Sequence, residues 1–468
     1  MSPGSELRVA VVGGGIAGLA AAHHLAGRPG VAVTVCEAGA RLGGKVRTED
    51  FAGVDLDLGP DAFLARRPEA VALCTELGLA DELVGPATTA AYVWSRGRLR
   101  RLPAGLVLGV PTCFGALARS RVLSAAGLVR VAVEPWWPGR ALVGDDALGA
   151  VVRRRLGSEV HRRLVDPLVG GINAGDTDRL SIEVAAPSLA AAARSHRSLI
   201  VGARGLAAQG SSAAGPAFLT LPGGLTRLVD VLVERLSAMG VEVRTGSPVT
   251  ALEPRAGGGY RVHLGAETVD AGELDVDAVI VATPAPVAAS LLAPHAPAAA
   301  ATLKAIDYAS VTLVAFAFPR RAVGRRLDGS GFLVARGEGR LMTACSWASS
   351  KWAHLEGADQ VVLRVSAGRA GDARAEALDD DALVARLRLE LGEALGITGA
   401  PTEARVMSWR QAFPQYAPDH LGRMASVETD LAARLPGVAL AGAALSGVGL
   451  PACIASGRRA AEAVLSPC

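Results

Sequence analysis

Residues 9 to 45 read VAVVGGGIAGLAAAHHLAGRPGVAVTVCEAGARLGGK. An apolar strand, Val9 to Val12, runs into Gly13-x-Gly15-x-x-Gly18; a helix follows, and a second strand, Val31 to Val35, ends at Glu37. Strand, glycines, helix, strand and acid in that order make a dinucleotide-binding βαβ unit. Gly13 permits the tight turn, Gly15 lets backbone approach a pyrophosphate, and Gly18 lets the helix pack on the strand. The helix N-terminus offers free N–H groups and a positive dipole end to phosphates, while Glu37 is placed to accept ribose hydroxyls. Arg41-Leu42-Gly43-Gly44-Lys45 then puts two more glycines and two cations where the chain turns back past the same phosphates. A loosely held nicotinamide cofactor has no need of that second turn, so the residues favour FAD.

At 468 residues the chain exceeds one ordinary core, and two or three domains are expected. It is 50% apolar and 20% charged, which describes a well-buried globular protein rather than a disordered one. A formal charge of +3 is small for this length and, with no basic run interleaved with aromatics, argues against nucleic acid as a partner. Lysine supplies three of the 48 cations (Lys45, Lys304, Lys351) and arginine the rest, a bias that a GC-rich genome produces. Six cysteines (Cys36, Cys74, Cys113, Cys345, Cys453, Cys468) form neither a CxxC pair nor a metal-ligand spacing. Buried free thiols in a reducing, cytoplasmic setting are expected, with no metal. The glycine-punctuated N-terminus belongs to the cofactor unit and is not read as a signal peptide. Residues 437 to 455 are long enough to imitate a membrane span, but their glycines and Pro451 predict a buried strand plus turn.

The expected fold class is α/β: an FAD-binding doubly wound (Rossmann-like) domain built from discontinuous segments, with a substrate-binding α+β domain and a mainly helical domain. The FAD-binding domain takes residues 1–88, 211–298 and 405–468; a helical substrate or membrane-type domain takes 89–210, where the periodicity is helical and prolines mark the loops. SSAAGP at 211–216 reads as a flexible connection. After it come a strand, an amphipathic helix, another strand with Val249 in the next turn, and DAVIVATPAP, segments that suit the edge and back of the doubly wound sheet. Residues 299–404 read as a substrate-facing sheet with one charged helix, Asp379 to Glu393. The chain then returns through Trp409 to the strand Val438 to Ala441, the Gly447-Val448-Gly449 turn and a last helix, Cys453 to Leu465.

At this point the chain resembles the flavin-containing oxidases of the amine oxidase and phytoene desaturase superfamily, and within it the oxygen-dependent porphyrinogen oxidases, over nearly its whole length. Gly13 to Gly18, Glu37 and Arg41 to Lys45 carry only the superfamily. More specific are Gly59-Pro60-Asp61, DPLVGGINAGDTDRLS at 166–181, LPGGLTRL at 221–228 and GVGLPACIASGRRAA at 447–461. GSGFLVAR (329–336) followed by MTACSWASSKWAH (342–354) is similar to the bacterial members that oxidise coproporphyrinogen III. The protoporphyrinogen enzymes of mitochondria and plastids have an aromatic residue where this chain has Ser330 and an arginine near Ala91. Those departures favour the coproporphyrinogen branch.

The resemblance implies an oxidase that removes six electrons from coproporphyrinogen III in three two-electron steps, with O2 reduced to H2O2, in haem biosynthesis. It also implies residue roles. Gly13, Gly14, Gly15, Ile16, Ala17 and Gly18, with Glu37, Ala38, Arg41, Gly44 and Lys45, hold the diphosphate and ribose. Gly59, Pro60, Asp61 and Ala62 pass along the isoalloxazine, Val249 meets the adenine through its backbone, and Trp409, Gly442, Val448, Gly449 and Leu450 close the far side. Asp61 resembles the position that assists proton removal from a pyrrole nitrogen, the alternative being a loop aspartate that only hydrogen-bonds backbone. Gly171, Gly331 and Leu333 line the slot that sandwiches the macrocycle. The partners implied are the porphyrinogen and O2, with a weak peripheral membrane contact through the helical domain and a downstream haem-synthesis enzyme left open.

Three bland readings stand beside these. Arg96, Arg98, Arg100 and Arg101 read as a solvated face before they read as propionate ligands. Trp136-Trp137, beside Arg130 and Arg140, reads as buried in its domain or a channel before it reads as a membrane anchor. The adjacent His23-His24 reads as structural. Rival functions are a protoporphyrinogen IX oxidase on the same fold, a flavin amine oxidase, which needs an aromatic cage that a 4% aromatic chain hardly supplies, and a catalytically silent FAD-binding partner protein.

Overall fold

The opening βαβ unit forms as its residues dictate. In the computed structural model, which describes residues 6–136, 141–210, 215–265, 272–357 and 359–466, Leu7–Val12 and Val31–Cys36 pair in parallel and flank the helix Ile16–Ala26 in sequence. Val9 to Val12 are all buried, the pattern of a strand covered on both faces. Two distant parts of the chain complete this parallel sheet, whose order is Glu242–Arg244, Val31–Cys36, Leu7–Val12, Ala278–Val281, Val438–Leu440. The order reverses at Leu7–Val12, so the crevice for a ligand opens at that strand's carboxyl end, at Gly13.

The sheet is covered on both sides. Helices Ile16–Ala26, Thr226–Ala238 and Leu450–Leu465 pack one core, with Leu19, Leu25, Leu232, Leu236 and Ile454 all fully buried. Against the other face lie an antiparallel sheet (Val249–Pro254, Tyr260–Leu264, Glu273–Val276) and helices Ala285–Leu292, Pro297–Lys304 and His420–Arg434. Val249 therefore begins a strand rather than sitting in a turn, and Ala278–Val281 is an inner neighbour of the first strand rather than an edge.

A seven-stranded mixed sheet stands beside this layer. Its order is Glu403–Pro414, Tyr308–Pro319, Gln360–Ala367, Met342–Ser346, Gly331–Val334, Tyr92–Ser95, Arg98–Arg101, antiparallel throughout except where Gly331–Val334 meets Tyr92–Ser95. One face buries Phe316, Leu363 and Val365 against the helix Asp380–Leu395, which Asp379 caps by accepting from the Ala382 amide at 2.8 Å. The other face, with Ala315, Ala317 and Val362, turns toward Phe51 and Leu56 of the hairpin Thr48–Phe51/Val54–Asp57 and Leu58 just after it. This sheet takes Tyr92–Ser95 and Arg98–Arg101 from the expected helical stretch as well as strands from 299–404, and Glu403–Pro414 crosses the expected division at 404. The hairpin expected at Arg96 to Arg101 forms, closing on the tight turn Arg96-Gly97, both at positive φ (57° and 70°), where Asn-Gly is the usual signal.

Helices of the 89–210 stretch, including Ala125–Val133, Leu148–Leu156 and Pro187–Ser195, enclose a third core. Within it His161–Gly170 winds as a π-helix containing Pro167, which has no N–H to give to a regular α ladder. Trp136 corrects its expected burial. It is 83% exposed, because Val129, Val133 and Trp136 share the outer side of a segment whose inner side is Gly127, Val131 and Glu134. Trp137, Arg140 and residues 211–214 of the expected connection, like Cys468, lie outside the described residues. Among the described residues no helix is long and apolar enough to cross a membrane. Cys36, Cys74 and Cys345 are buried free thiols, whereas Cys113 is exposed.

Candidate active site

At the carboxyl end of Leu7–Val12, Gly13 has φ +108°, and a side chain there would meet the Ala282 carbonyl. Glu37 is held by two amides, Gly14 N–H donating to Oε2 at 2.7 Å and Gly39 N–H to Oε1 at 2.8 Å, which points the carboxylate across the glycine turn. Gly43 donates to the Gly14 carbonyl at 2.8 Å, and Gly15 forms a bridge with Gly43, so the second glycine turn is stitched onto the first. Arg41 braces the second turn. Its guanidinium donates to the carbonyls of Leu42, Gly44 and Val46 (2.9, 2.6 and 2.8 Å) and laces its own loop. Ile16 and Ala17 are buried, while Ala38, Gly44 and Lys45 are exposed at the rim.

Two uncapped helix N-termini meet in this region. Gly15 starts Ile16–Ala26 and Gly449 starts Leu450–Leu465, neither with a side-chain cap, and the two helices cross so closely that Gly457 lies against the Ala17 carbonyl. Open space lies in front of Gly442, and nothing but Gly44 Cα, 4.0 Å away, faces a Cβ on Gly15. Thr283, beside Gly13, has a buried hydroxyl with no partner. Such a cradle, with unpaired donors and no side chains filling it, fits an anionic dinucleotide. Val249 lies near the rim, since Gly246 N–H donates to the Gly39 carbonyl and Ser247 N–H to the Glu37 carbonyl, both at 2.9 Å.

The turn Gly59 to Ala62 is anchored from the mixed sheet. Trp409 Nε1–H donates to the Leu58 carbonyl at 2.8 Å, and Arg364 Nη2 donates to the Gly59 carbonyl at 2.5 Å. Asp61 pairs with Lys351 Nζ at 2.7 Å and Arg364 Nη1 at 2.8 Å, and accepts from Trp352 Nε1 at 3.4 Å. Burial pushes the Asp61 carboxyl up, but the Lys351 ammonium and then the Arg364 guanidinium overcome it and hold the group well below the ordinary carboxylate range. A carboxylate held that way is a weak base. In this structure Asp61 is an ionic clasp between two cations, an arrangement that disfavours the proton-accepting role. Lys351 and Arg364 were missed in the sequence, although a lone arginine in the otherwise apolar and buried strand QVVLRVSA is a legible signal.

Asp57 lies beside the clasp and behaves oppositely. It is 7% exposed, and burial pushes its carboxyl up to about 6 against the hydrogen bonds from Thr48 and Leu225. Its folded pKa exceeds the unfolded one, so folding stability falls as pH rises from about 4 to about 6. Asp57→Asn removes that slope. Chemical denaturation across this range should show the wild type losing on the order of 2 to 3 kcal/mol that the variant keeps.

The slot expected at Gly171, Gly331 and Leu333 comes together. A Cβ on Gly171 would stand 3.6 Å from Leu333 Cδ2. Leu333 is paired with Ala344, which is paired with Ser366; in the next row Gly331 pairs with Ser346 and Ser346 with Arg364. This face is therefore floored by small residues, and the Ser346 hydroxyl and Arg364 Nε are buried there without partners. Gly331 itself is demanded by its own sheet: at φ +138° a side chain would strike the Cys345 carbonyl. The aromatic residues Tyr92, Trp94, Phe332 and Trp347 lie in the core on the other side. Arg96, Arg98 and Arg101 are exposed on their hairpin, and Arg100 donates to the Ser95 carbonyl at 3.1 Å. His23 and His24 face Glu76 and Glu462 on neighbouring helices.

Residues 16–465 match the family described as flavin containing amine oxidoreductase. The chain belongs to that family. It is 35% identical to the coproporphyrinogen III oxidase of Bacillus subtilis (strain 168), over 100% of this chain and 99% of the relative. It is 38% identical to the enzyme of the same name from Mycobacterium tuberculosis (strain ATCC 25618 / H37Rv), covering 97% and 96%. A crystal structure from Exiguobacterium sp. 255-15, provisionally named a protoporphyrinogen oxidase, superposes with a TM-score of 0.86 at 31% identity, covering 98% of this chain and 99% of that one. The parallel five-stranded sheet and the mixed sheet are thus those of a flavin oxidoreductase.

Proposed function

We propose that this chain is an FAD-dependent oxidase that converts coproporphyrinogen III to coproporphyrin III, with three O2 reduced to three H2O2, in cytoplasmic haem biosynthesis. The observation that carries the reading is the end-to-end likeness to proteins named coproporphyrinogen III oxidase. Bound FAD supplies the redox chemistry, accepting two electrons at a time from the macrocycle and passing them to O2. The protein's part is to bind, orient and shield. Gly13 to Gly18 with Glu37 and Ala38 take the diphosphate and ribose, Val249 the adenine, and the Gly59 to Ala62 turn borders the flavin ring. Gly442 and Val448 to Leu450 close the opposite side, with the helix that begins at Leu450 aiming its positive end inward.

The parallel-sheet layer is the cofactor-binding unit, the mixed sheet forms the floor under the substrate, and the helical stretch roofs it through Gly171. A floor of Gly331, Ala344, Ser346 and Ser366 leaves room for a broad macrocycle, and Ser346 offers an acceptor to a pyrrole N–H. An amine oxidase would need aromatic side chains at the ring to cage an amine; here the strand aromatics Tyr92, Trp94 and Phe332 face away. The exposed Val129, Val133 and Trp136 would supply the weak membrane contact. The name of the Exiguobacterium protein favours a second reading, protoporphyrinogen IX oxidation at the same site. Porphyrin fluorescence and peroxide release, followed with each porphyrinogen in turn, decide between them: faster turnover of coproporphyrinogen III is expected. Preference for protoporphyrinogen IX would select the second reading, and no fluorescence or peroxide with either would overturn both.

A further inference from the structure

A cleft of about 620 Å³ lies at one edge of the mixed sheet, lined by Arg336, Arg369, Gly371, Asp372, Ala373, Arg374 and Ala377. Its position follows from strand direction. Gly331–Val334 and Gln360–Ala367 are both antiparallel to Met342–Ser346, so they run the same way and end on the same edge. Arg336 follows the first by two residues and Arg369 follows the second by two. Both arginines are three residues past the Leu333–Ala344–Ser366 row that floors the slot, on the order of 10 Å along extended chain. One short turn spans both places: Gly171 faces Leu333, while the Ala174 carbonyl takes the Ala370 amide at 2.7 Å and the Gly175 carbonyl takes Arg336 Nη2 at 2.7 Å.

The cleft holds more positive charge than its own acids answer. Arg374 is committed to Asp372, with bonds of 2.8 and 2.7 Å, and to the Arg340 carbonyl at 2.9 Å. Arg336 reaches Asp166 at 3.4 Å, leaving a guanidinium that is still 30% exposed. Arg369 makes no side-chain hydrogen bond or ion pair among the described residues, and its Nε is buried with no acceptor. Burial lowers its pKa, and the Arg336 charge beside it adds to that; the Asp166 and Asp372 carboxylates oppose the shift from nearby, but each is bonded to another arginine. A desolvated guanidinium without a partner is costly in a finished fold, and a planar fork of donors is suited to a carboxylate.

Resting on the porphyrinogen reading above, we infer that this cleft receives a carboxylate arm of the substrate, with Arg369 as the principal ligand and Arg336 beside it. The ring lies over the small-residue floor, and the arm extends past the ends of the two strands to the arginines. Binding at this end fixes which edge of the macrocycle enters beneath the Gly171 roof. The site is then a specificity determinant that reads charge, where the floor reads only shape.

Arg369→Gln should raise the KM for coproporphyrinogen III about tenfold or more with kcat within about twofold, because a charge-assisted bond is lost from binding and not from the chemical step. The Kd of coproporphyrin III, followed by its own fluorescence anisotropy on the flavin-loaded protein, should rise by the same factor. Arg369→Lys should keep part of the affinity. An unchanged Kd and KM in an Arg369→Gln protein with wild-type flavin content and Tm would overturn the inference. So would loss of thermal stabilisation by citrate with coproporphyrin binding intact, since the cleft would then serve a separate small carboxylate. A wild type that oxidises neither porphyrinogen would sink the proposed reaction, while the anisotropy arm would still decide the cleft.

Discussion

Gly18→Val should emerge from purification without bound flavin. A Cβ at residue 18 would drive into the Gly13 carbonyl and come within 3.2 Å of Val11 Cγ1, both part of the buried strand and turn. Neither can yield, because Val11 is fully buried and Gly13 N–H is tied to the Cys36 carbonyl at 2.8 Å. The helix Ile16–Ala26 must move instead, and it carries the Gly15 N-terminus away from the phosphates while opening the seam with Gly457. Overpacking of this kind costs about 1 to 3 kcal/mol or more, and each 1.4 kcal/mol is a tenfold change in affinity. Flavin absorbance per protein should therefore fall by at least about tenfold, with a lower Tm. A yellow Gly18→Val protein of wild-type stability would show that this helix start does not hold the cofactor.

Asp61→Leu should cost about 3 to 5 kcal/mol of stability at neutral pH, the usual result of stranding buried cations. Lys351 and Arg364 would lose the carboxylate they share, and Arg364 would keep the Gly59 carbonyl. The double variant Asp61→Leu with Lys351→Met should recover part of that loss, since it removes one of the stranded charges as well. The pH dependence has a definite sign. The folded pKa of Asp61 lies below the unfolded one, so its contribution is fully present above about pH 4 and is lost as pH falls toward the folded value. Asp61→Asn separates clasp from base. A clasp predicts lower denaturation midpoints with turnover surviving in the flavin-loaded fraction, whereas a proton acceptor predicts full stability with turnover abolished at every pH.

The glycine-turn half of the molecule was legible because it is local. Gly13, Gly15, Gly18 and Glu37 act within one βαβ unit, where chain order alone brings strand end, helix start and acid together. The mixed-sheet half was harder to read. The face of Gly331, Leu333, Ala344 and Ser366 depends on which strands neighbour one another, and the hairpin that extends this sheet lay inside a stretch with helical periodicity. The same nonlocality hid the clasp: Lys351 and Arg364 lie 290 and 303 residues from Asp61, and only sheet pairing sets them against the Gly59 turn.

From residues alone came the α/β class, the glycine turns, the discontinuous assembly of the parallel-sheet layer and the family resemblance, since glycine spacing and apolar periodicity are properties of neighbouring positions. Tertiary structure decided what the ionisable residues do. Asp61 becomes a clasp, Asp57 a reluctant acid, Arg41 a loop brace and Arg369 an unanswered charge, because the state of such a group is set by burial and by the charges within a few ångströms of it. Those neighbours are chosen by folding, and chain order does not show them.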